Sequence, residues 1–276
     1  MVAMIGVCDA TATDYSEGQQ QQQLPWGYLV LLLLALFWTQ QVFQNTIHVI
    51  VAGVVATWWF KPDEASSCCS VAIKDSFVRA TTFSFGSVCF GSLLVAIIQL
   101  LRSLVESARQ DNREEGALFV LCLVDCILQC MEGILEYFNK FAYIYVGMYG
   151  YGFLDAGKKV MTLFAAKGWS VIINDKLVSN TLALFCLVDA LLVGWVGIAT
   201  SWLAGFEEAA SGVAFGISFL IGLVISSVIL TVVDSSVNTV VVGFAEAPEE
   251  LEQNHPKLSD EMRAAWRAVY PAYCGF

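Results

Sequence analysis

Residues 211–233 read SGVAFGISFLIGLVISSVILTVV, 23 consecutive positions without a charge. At about 1.5 Å per residue a helix of this length is about 35 Å long, enough to cross a hydrocarbon core of roughly 30 Å. Three more windows of the same kind lie at 82–105, 117–135 and 179–205, each with at most two or three charges. A fifth, 26–60, is longer and has a polar centre. Mean hydropathy is +0.66 and only 14% of residues are charged, against about 25% in a soluble domain. The fold class expected is all-α: a polytopic transmembrane helix bundle of about five spans.

The bulk numbers remove several alternatives. A net charge of −11 leaves no basic face for phosphate contacts, so no nucleic acid partner is expected. The first ten residues lack both the basic flank and the apolar run of a cleaved signal peptide. Nine cysteines, an odd number and mostly within apolar segments, do not form a disulfide framework. Cys122, Cys126 and Cys130 fall on one side of a helix, but no histidine stands at ligand spacing, and they read as packing residues. Cys68 and Cys69, in a loop beside a membrane helix, are candidates for palmitate. No phosphate loop, zincin motif or nucleophile elbow is present; no enzyme activity, metal or cofactor is expected.

Three regions follow. Residues 1–25, with glutamine at every position from Gln19 to Gln23, read as a disordered polar lead-in. Residues 26–243 form the transmembrane helical domain, with spans near 26–60, 82–105, 117–135, 179–205 and 211–240. Residues 244–276 form a cytoplasmic tail, with a short helix over 259–269 capped by Ser259. The 35-residue first window is too long for one simple span, so it either breaks or protrudes, and Lys61-Pro62 ends it. The segment 137–178 reads as a mixed connection.

Polar residues inside spans are costly and mark function or interhelical hydrogen bonding. Gln41, Gln44, Asn45 and His48 lie within an arc of about 100° of one helix face, a stripe that is either glue or a substrate path. Ser227, Thr231, Asp234 and Asn238 form a second stripe, and Asp125, Gln129, Glu132 and Glu136 a third. Gly212 and Gly216 make a GxxxG spacing suited to close helix contact.

Four stretches resemble the choline-transporter-like solute-carrier family: WTQQVFQNTIHVIVAGVVATWWFKP (38–62), FSFGSVCFGSLLVAIIQLLR (83–102), FNKFAYIYVGMYGYGF (138–153) and VDSSVNTVVVGFAEAPEEL (233–251). The first carries the spaced Asn45, His48, Gly53, Trp58, Trp59 and Phe60. The resemblance implies ten spans with both termini cytosolic, of which this chain matches the C-terminal half. The earlier spans are then expected to lie outside it. Gly243 and Ala247 stand where the resemblance leads one to expect Cys and, in some members, an acid. It further implies a plasma-membrane carrier for choline or a related small organic cation, held on aromatic faces by cation–π contacts. Trp58, Trp59, Tyr143, Tyr145, Tyr149 and Tyr151 are the aromatic residues available for that, or for an interface belt. The other reading is a half-length, non-transporting membrane protein that packs with a partner, or with itself as a homo-oligomer.

Orientation follows from the basic residues. Lys61, Lys74 and Arg79 lie between the first two spans. Lys140, Lys158, Lys159, Lys167 and Lys176 lie between the third and fourth, and Lys257, Arg263 and Arg267 in the tail. Such an excess marks the cytoplasmic side, which puts the C-terminus inside and residue 1 outside. A tag at Phe276 should therefore resist protease in intact cells and a tag at Met1 should be cleaved; a cleaved C-terminal tag would refute the charge argument.

Overall fold

The computed structural model describes residues 26–65, 67, 70–111, 115–167, 170–205 and 208–269; the lead-in 1–25, the pair Cys68–Cys69 and residues 270–276 lie outside them. The helices are α1 (Trp26–Phe60), α2 (Val71–Thr81), α3 (Phe85–Asp111), α4 (Glu115–Tyr149), α5 (Phe153–Lys167), α6 (Ser170–Leu203), α7 (Glu208–Glu246), α8 (Pro248–Asn254) and α9 (Pro256–Val269). A single 3-10 turn, Pro62–Ala65, follows α1. No strand occurs among the described residues. Five helices, α1, α3, α4, α6 and α7, are long and apolar enough to cross a membrane, and the chain is a multi-pass helical membrane protein.

These helices outrun the apolar windows that announce them. Helix α1 is unbroken over 35 residues, about 52 Å, so its ends must stand beyond the hydrocarbon. Helix α4 also has 35 residues and continues from the 117–135 window through Asn139, Lys140 and the aromatic run to Tyr149. Burial extends it: Phe141, Ala142, Tyr143, Ile144, Tyr145 and Val146 are all fully enclosed. They pack on Val49, Ala52 and Ala56 of α1 and on Phe153, Ala156 and Val160 of α5. Gly150, with φ of +73°, then ends α4 in the left-handed conformation that glycine tolerates best.

Helix α1 is the hub, touching α2, α3, α4, α7 and α8. It runs parallel to α4, since His48 meets Lys140 while Val49 and Ala52 meet Gly147. It runs parallel to α7 as well, with His48 at Ser235 and Trp59 at Gly243. Helix α3 is antiparallel to α4: Val88 pairs with Tyr143 and Gly91 with Asn139. Helices α6 and α7 form a hairpin joined by Ser179 to Asp234 (3.1 Å) and Ser201 to Ser211 (3.1 Å), and by Ser226 donating to Asp189. The outward faces of this hairpin expose Leu184, Trp195, Ile217 and Val224, as lipid contact requires.

The segments that follow α1, α4 and α7 meet at one end of the bundle. Arg79 lines a cavity with Gly150 and Tyr151, His255 of the tail stacks on Trp58 at 4.3 Å, and the Asn254 amide donates to the Trp59 carbonyl at 2.8 Å. Lys140 departs from the loop position given to it by sequence: it sits inside the bundle with Nζ 2.8 Å from Asp234 Oδ2. The tail helix also starts earlier than expected, at Pro256, because proline at the first helical position loses no hydrogen bond. Ser259 is therefore inside the helix, its N–H bonded to the His255 carbonyl.

Small residues set the closest approaches, though not those of the GxxxG. A Cβ on Gly147 would lie 2.7 Å from Ala52 Cβ and 2.8 Å from the Val49 carbonyl oxygen, whereas Gly212 and Gly216 have nothing within 4 Å. Gly147→Leu should lower the stability of the detergent-solubilised protein by about 1–3 kcal/mol, while Gly216→Leu should leave it unchanged or raised. Thermal melts of the two variants check this, and equal losses would contradict the placement of α1 against α4.

Candidate functional site

The stripe on α1 does not face a single partner. Its first three members open onto a cleft of about 330 Å³ between α1, α3 and α4, with Gln41, Gln44 and Asn45 on one wall and Glu136, Asn139 and Lys140 on the other. Asn45 Nδ2 donates to Ser92 Oγ at 2.9 Å, tying α1 to α3 at the edge of the cleft. Gln44 is exposed, so the cleft is not sealed on that side.

One turn further along, His48 is enclosed and engaged at both ring nitrogens. Nε2 donates to the Lys140 carbonyl at 3.0 Å, since a carbonyl can only accept, and Nδ1 therefore accepts from the Ser235 hydroxyl. His48 thus joins α1, α4 and α7 at one point. Beside it the Lys140 ammonium and the Asp234 carboxylate form a pair in which each side chain keeps about one-fifth of its surface, at 19% and 22%. Asn238 turns back to its own helix, its amide donating to the Asp234 carbonyl at 2.7 Å.

At the opposite end of α4, the Arg102 guanidinium bridges Glu132 (2.5 Å) and Asp125 (3.4 Å). These residues wall a second cavity of about 640 Å³ with Gln99 and Glu106. The two cavities are neighbours, for Gln99 Nε2 reaches Glu136 Oε1 at 3.5 Å. Asp125, Glu132, Glu136 and Lys140 therefore form one polar line along α4, closed at each end by an ion pair.

The aromatic candidates sit apart from the cleft or are already engaged. Trp59 is 1% exposed, lies over Gly243 and donates from its indole N–H to the Ala247 carbonyl at 3.1 Å. Trp58 is stacked on His255. Tyr143 is buried with its hydroxyl donating to the Val88 carbonyl at 3.1 Å. Tyr149 differs: 38% exposed, it stands between Tyr145 and Tyr151, ring centroids 6.0 and 5.6 Å away, beside the Tyr145 hydroxyl bond to Glu246 (2.6 Å). Lys140, Asn139 and Ser235 were not among the site candidates read from sequence; the spacing of Asn139 and Lys140 from Glu136 on α4, and of Ser235 beside Asp234 on α7, was the available signal. Cys122, Cys126 and Cys130 are exposed free thiols on α4, and no metal-binding group of three or more His, Cys, Asp or Glu occurs among the described residues.

Fold and cleft together define a multi-pass helical membrane protein built around an intramembrane polar cavity. The chain belongs to the plasma-membrane choline transporter family, which matches residues 1–249. Among curated relatives it is 31% identical to Protein PNS1 of Mycosarcoma maydis over 88% of this chain and 47% of that protein. It is 34% identical to Protein PNS1 of Debaryomyces hansenii over 68% of this chain and 36% of that protein. A CTL-like protein of Dictyostelium discoideum is 36% identical over 62% of this chain and 31% of its own length. The chain thus spans about half, or less, of the curated relatives it matches.

Proposed function

We propose that the chain forms the C-terminal half-bundle of a plasma-membrane carrier for choline or a related small organic cation, with its C-terminus cytoplasmic. The observation that carries this reading is the cleft between α1, α3 and α4: a polar, acid-bearing cavity near the middle of three membrane-spanning helices. Carriers place their substrate sites at that depth, and an intramembrane carboxylate attracts a cation. Gln41, Gln44 and Asn45 line the path; His48 and Asp234 hold α1, α4 and α7 in register behind it, and Asn238 braces the Asp234 carbonyl within α7. Tyr149, with Tyr151, is the aromatic face open to a quaternary ammonium at the end of the bundle where Glu246 and the tail lie.

A second reading, an assembly in which a partner or another copy supplies further helices, is favoured by the open side of the cleft at Gln44. Uptake of labelled choline into cells without their own carriers separates the two. Saturable uptake supports the carrier; stable membrane insertion without uptake supports the assembly. In the carrier reading Asn45→Leu should reduce uptake more than tenfold at a stability cost near 0.6 kcal/mol, the usual worth of one interhelical hydrogen bond. His48→Leu, which gives up two such bonds, should cost about 1–2 kcal/mol. Unchanged uptake by Asn45→Leu would take that residue out of the path.

A further inference from the structure

Two polar groups in the cleft differ from their neighbours in how they are satisfied. Lys140 is held by Asp234 at 2.8 Å, and Arg102 by Glu132 and Asp125 at 2.5 and 3.4 Å. Glu136, between these pairs on the same line of α4, takes part in neither of them, although the Arg102 charge reaches it electrostatically. Its one hydrogen bond among the described residues comes from the neutral Gln99 amide at 3.5 Å. Three residues on, and so on the same face, Asn139 is 3% exposed. Its Nδ2 donates to the Gly91 carbonyl at 3.0 Å, while its buried Oδ1 accepts from no described residue. Both residues line the same cleft, and the Asn139 Oδ1 is covered within its wall.

A carboxylate at this depth favours a positive charge beside it, and a buried amide oxygen favours a donor. We infer that Glu136 and Asn139 form a recognition pair for a small hydroxylated ammonium ion, in which the carboxylate opposes the charge and Asn139 Oδ1 accepts the hydroxyl proton. This rests on the carrier reading and deepens it. A quaternary nitrogen has no N–H, so its attraction to Glu136 is Coulombic and tolerant of shape. The hydroxyl is then the only donor on the ligand, and a single buried acceptor is enough to select for it. Lys140 does not oppose the ligand, because its ammonium is neutralised on the α7 side by Asp234.

The test is equilibrium binding of labelled choline to the detergent-purified 276-residue protein, competed by unlabelled choline or by propyltrimethylammonium, in which a methyl replaces the hydroxyl. The wild type should prefer choline by about tenfold, the worth of one well-made hydrogen bond. Glu136→Gln should weaken both ligands by the same factor, at least about tenfold, and Glu136→Asp should restore most of it. Asn139→Ala should abolish the preference without weakening the analogue; Asn139→Asp, which keeps an acceptor in place, should retain it. Thermal melts confirm that the variants remain folded, and Glu136→Asp and Asn139→Asp serve if the other two do not. Wild-type binding of both ligands by Glu136→Gln, or an undiminished preference in Asn139→Ala, would overturn the pair while leaving the carrier reading in place. A wild type that binds neither ammonium ion would overturn both.

Discussion

Inside hydrocarbon a polar side chain has no water to turn to, and that constraint fixes how these helices meet. Lipid tails are as apolar as leucine, so apolar faces alone do not choose a register. Helix α1 chooses it through Asn45, which must reach Ser92 on α3, and through His48, which must satisfy two nitrogens at once. The second demand is met only where the Lys140 carbonyl and the Ser235 hydroxyl arrive together, which sets α4 and α7 against α1 at a single level. Once they are set, Lys140 finds Asp234, Gly147 comes within reach of Ala52, and Trp59 fits over Gly243.

What the sequence discloses depends on whether the signal is apolar. The five spans stand out because each is a run of large apolar residues, and the stripe on α1 because its polar members interrupt such a run. Helix α2 is hidden, since the residues it buries are Ala72, Ser76 and Ala80, too small to register as an apolar face. The second half of α4 is hidden for a different reason. Asn139 and Lys140 break the window, and the aromatic run beyond them reads equally as an interface belt, so only tertiary burial identifies it as core. The GxxxG of 212–216 has the spacing of a helix contact, yet a Cβ on either glycine would meet nothing within 4 Å among the described residues.

The same chemistry that fixes register also leaves a cleft. Along α4 the charged groups are paired at Arg102 and again at Lys140, and the cleft lies between these two closures, with Gln41, Gln44 and Asn45 opposite. In the carrier reading this cavity, bounded by ion pairs at both ends and open at Gln44, offers a carboxylate to a cation. The aromatic cluster of Tyr145, Tyr149 and Tyr151 lies beyond, at the end of the bundle where Glu246 and the tail lie. Polar cleft and aromatic cluster are therefore separate parts of the bundle, joined through the parallel pair α1 and α4.

The central claim, that the cleft is a hydrated route for an organic cation, is tested most directly by its access to a charged probe. A single cysteine at position 44, introduced as Gln44→Cys after the nine native cysteines are replaced by serine, is exposed to a membrane-impermeant thiol reagent carrying a trimethylammonium group, with and without choline. The account predicts modification that choline slows, and a much slower reaction with a sulfonate reagent of similar size. No modification by either reagent, or cationic modification that choline does not affect, would contradict it.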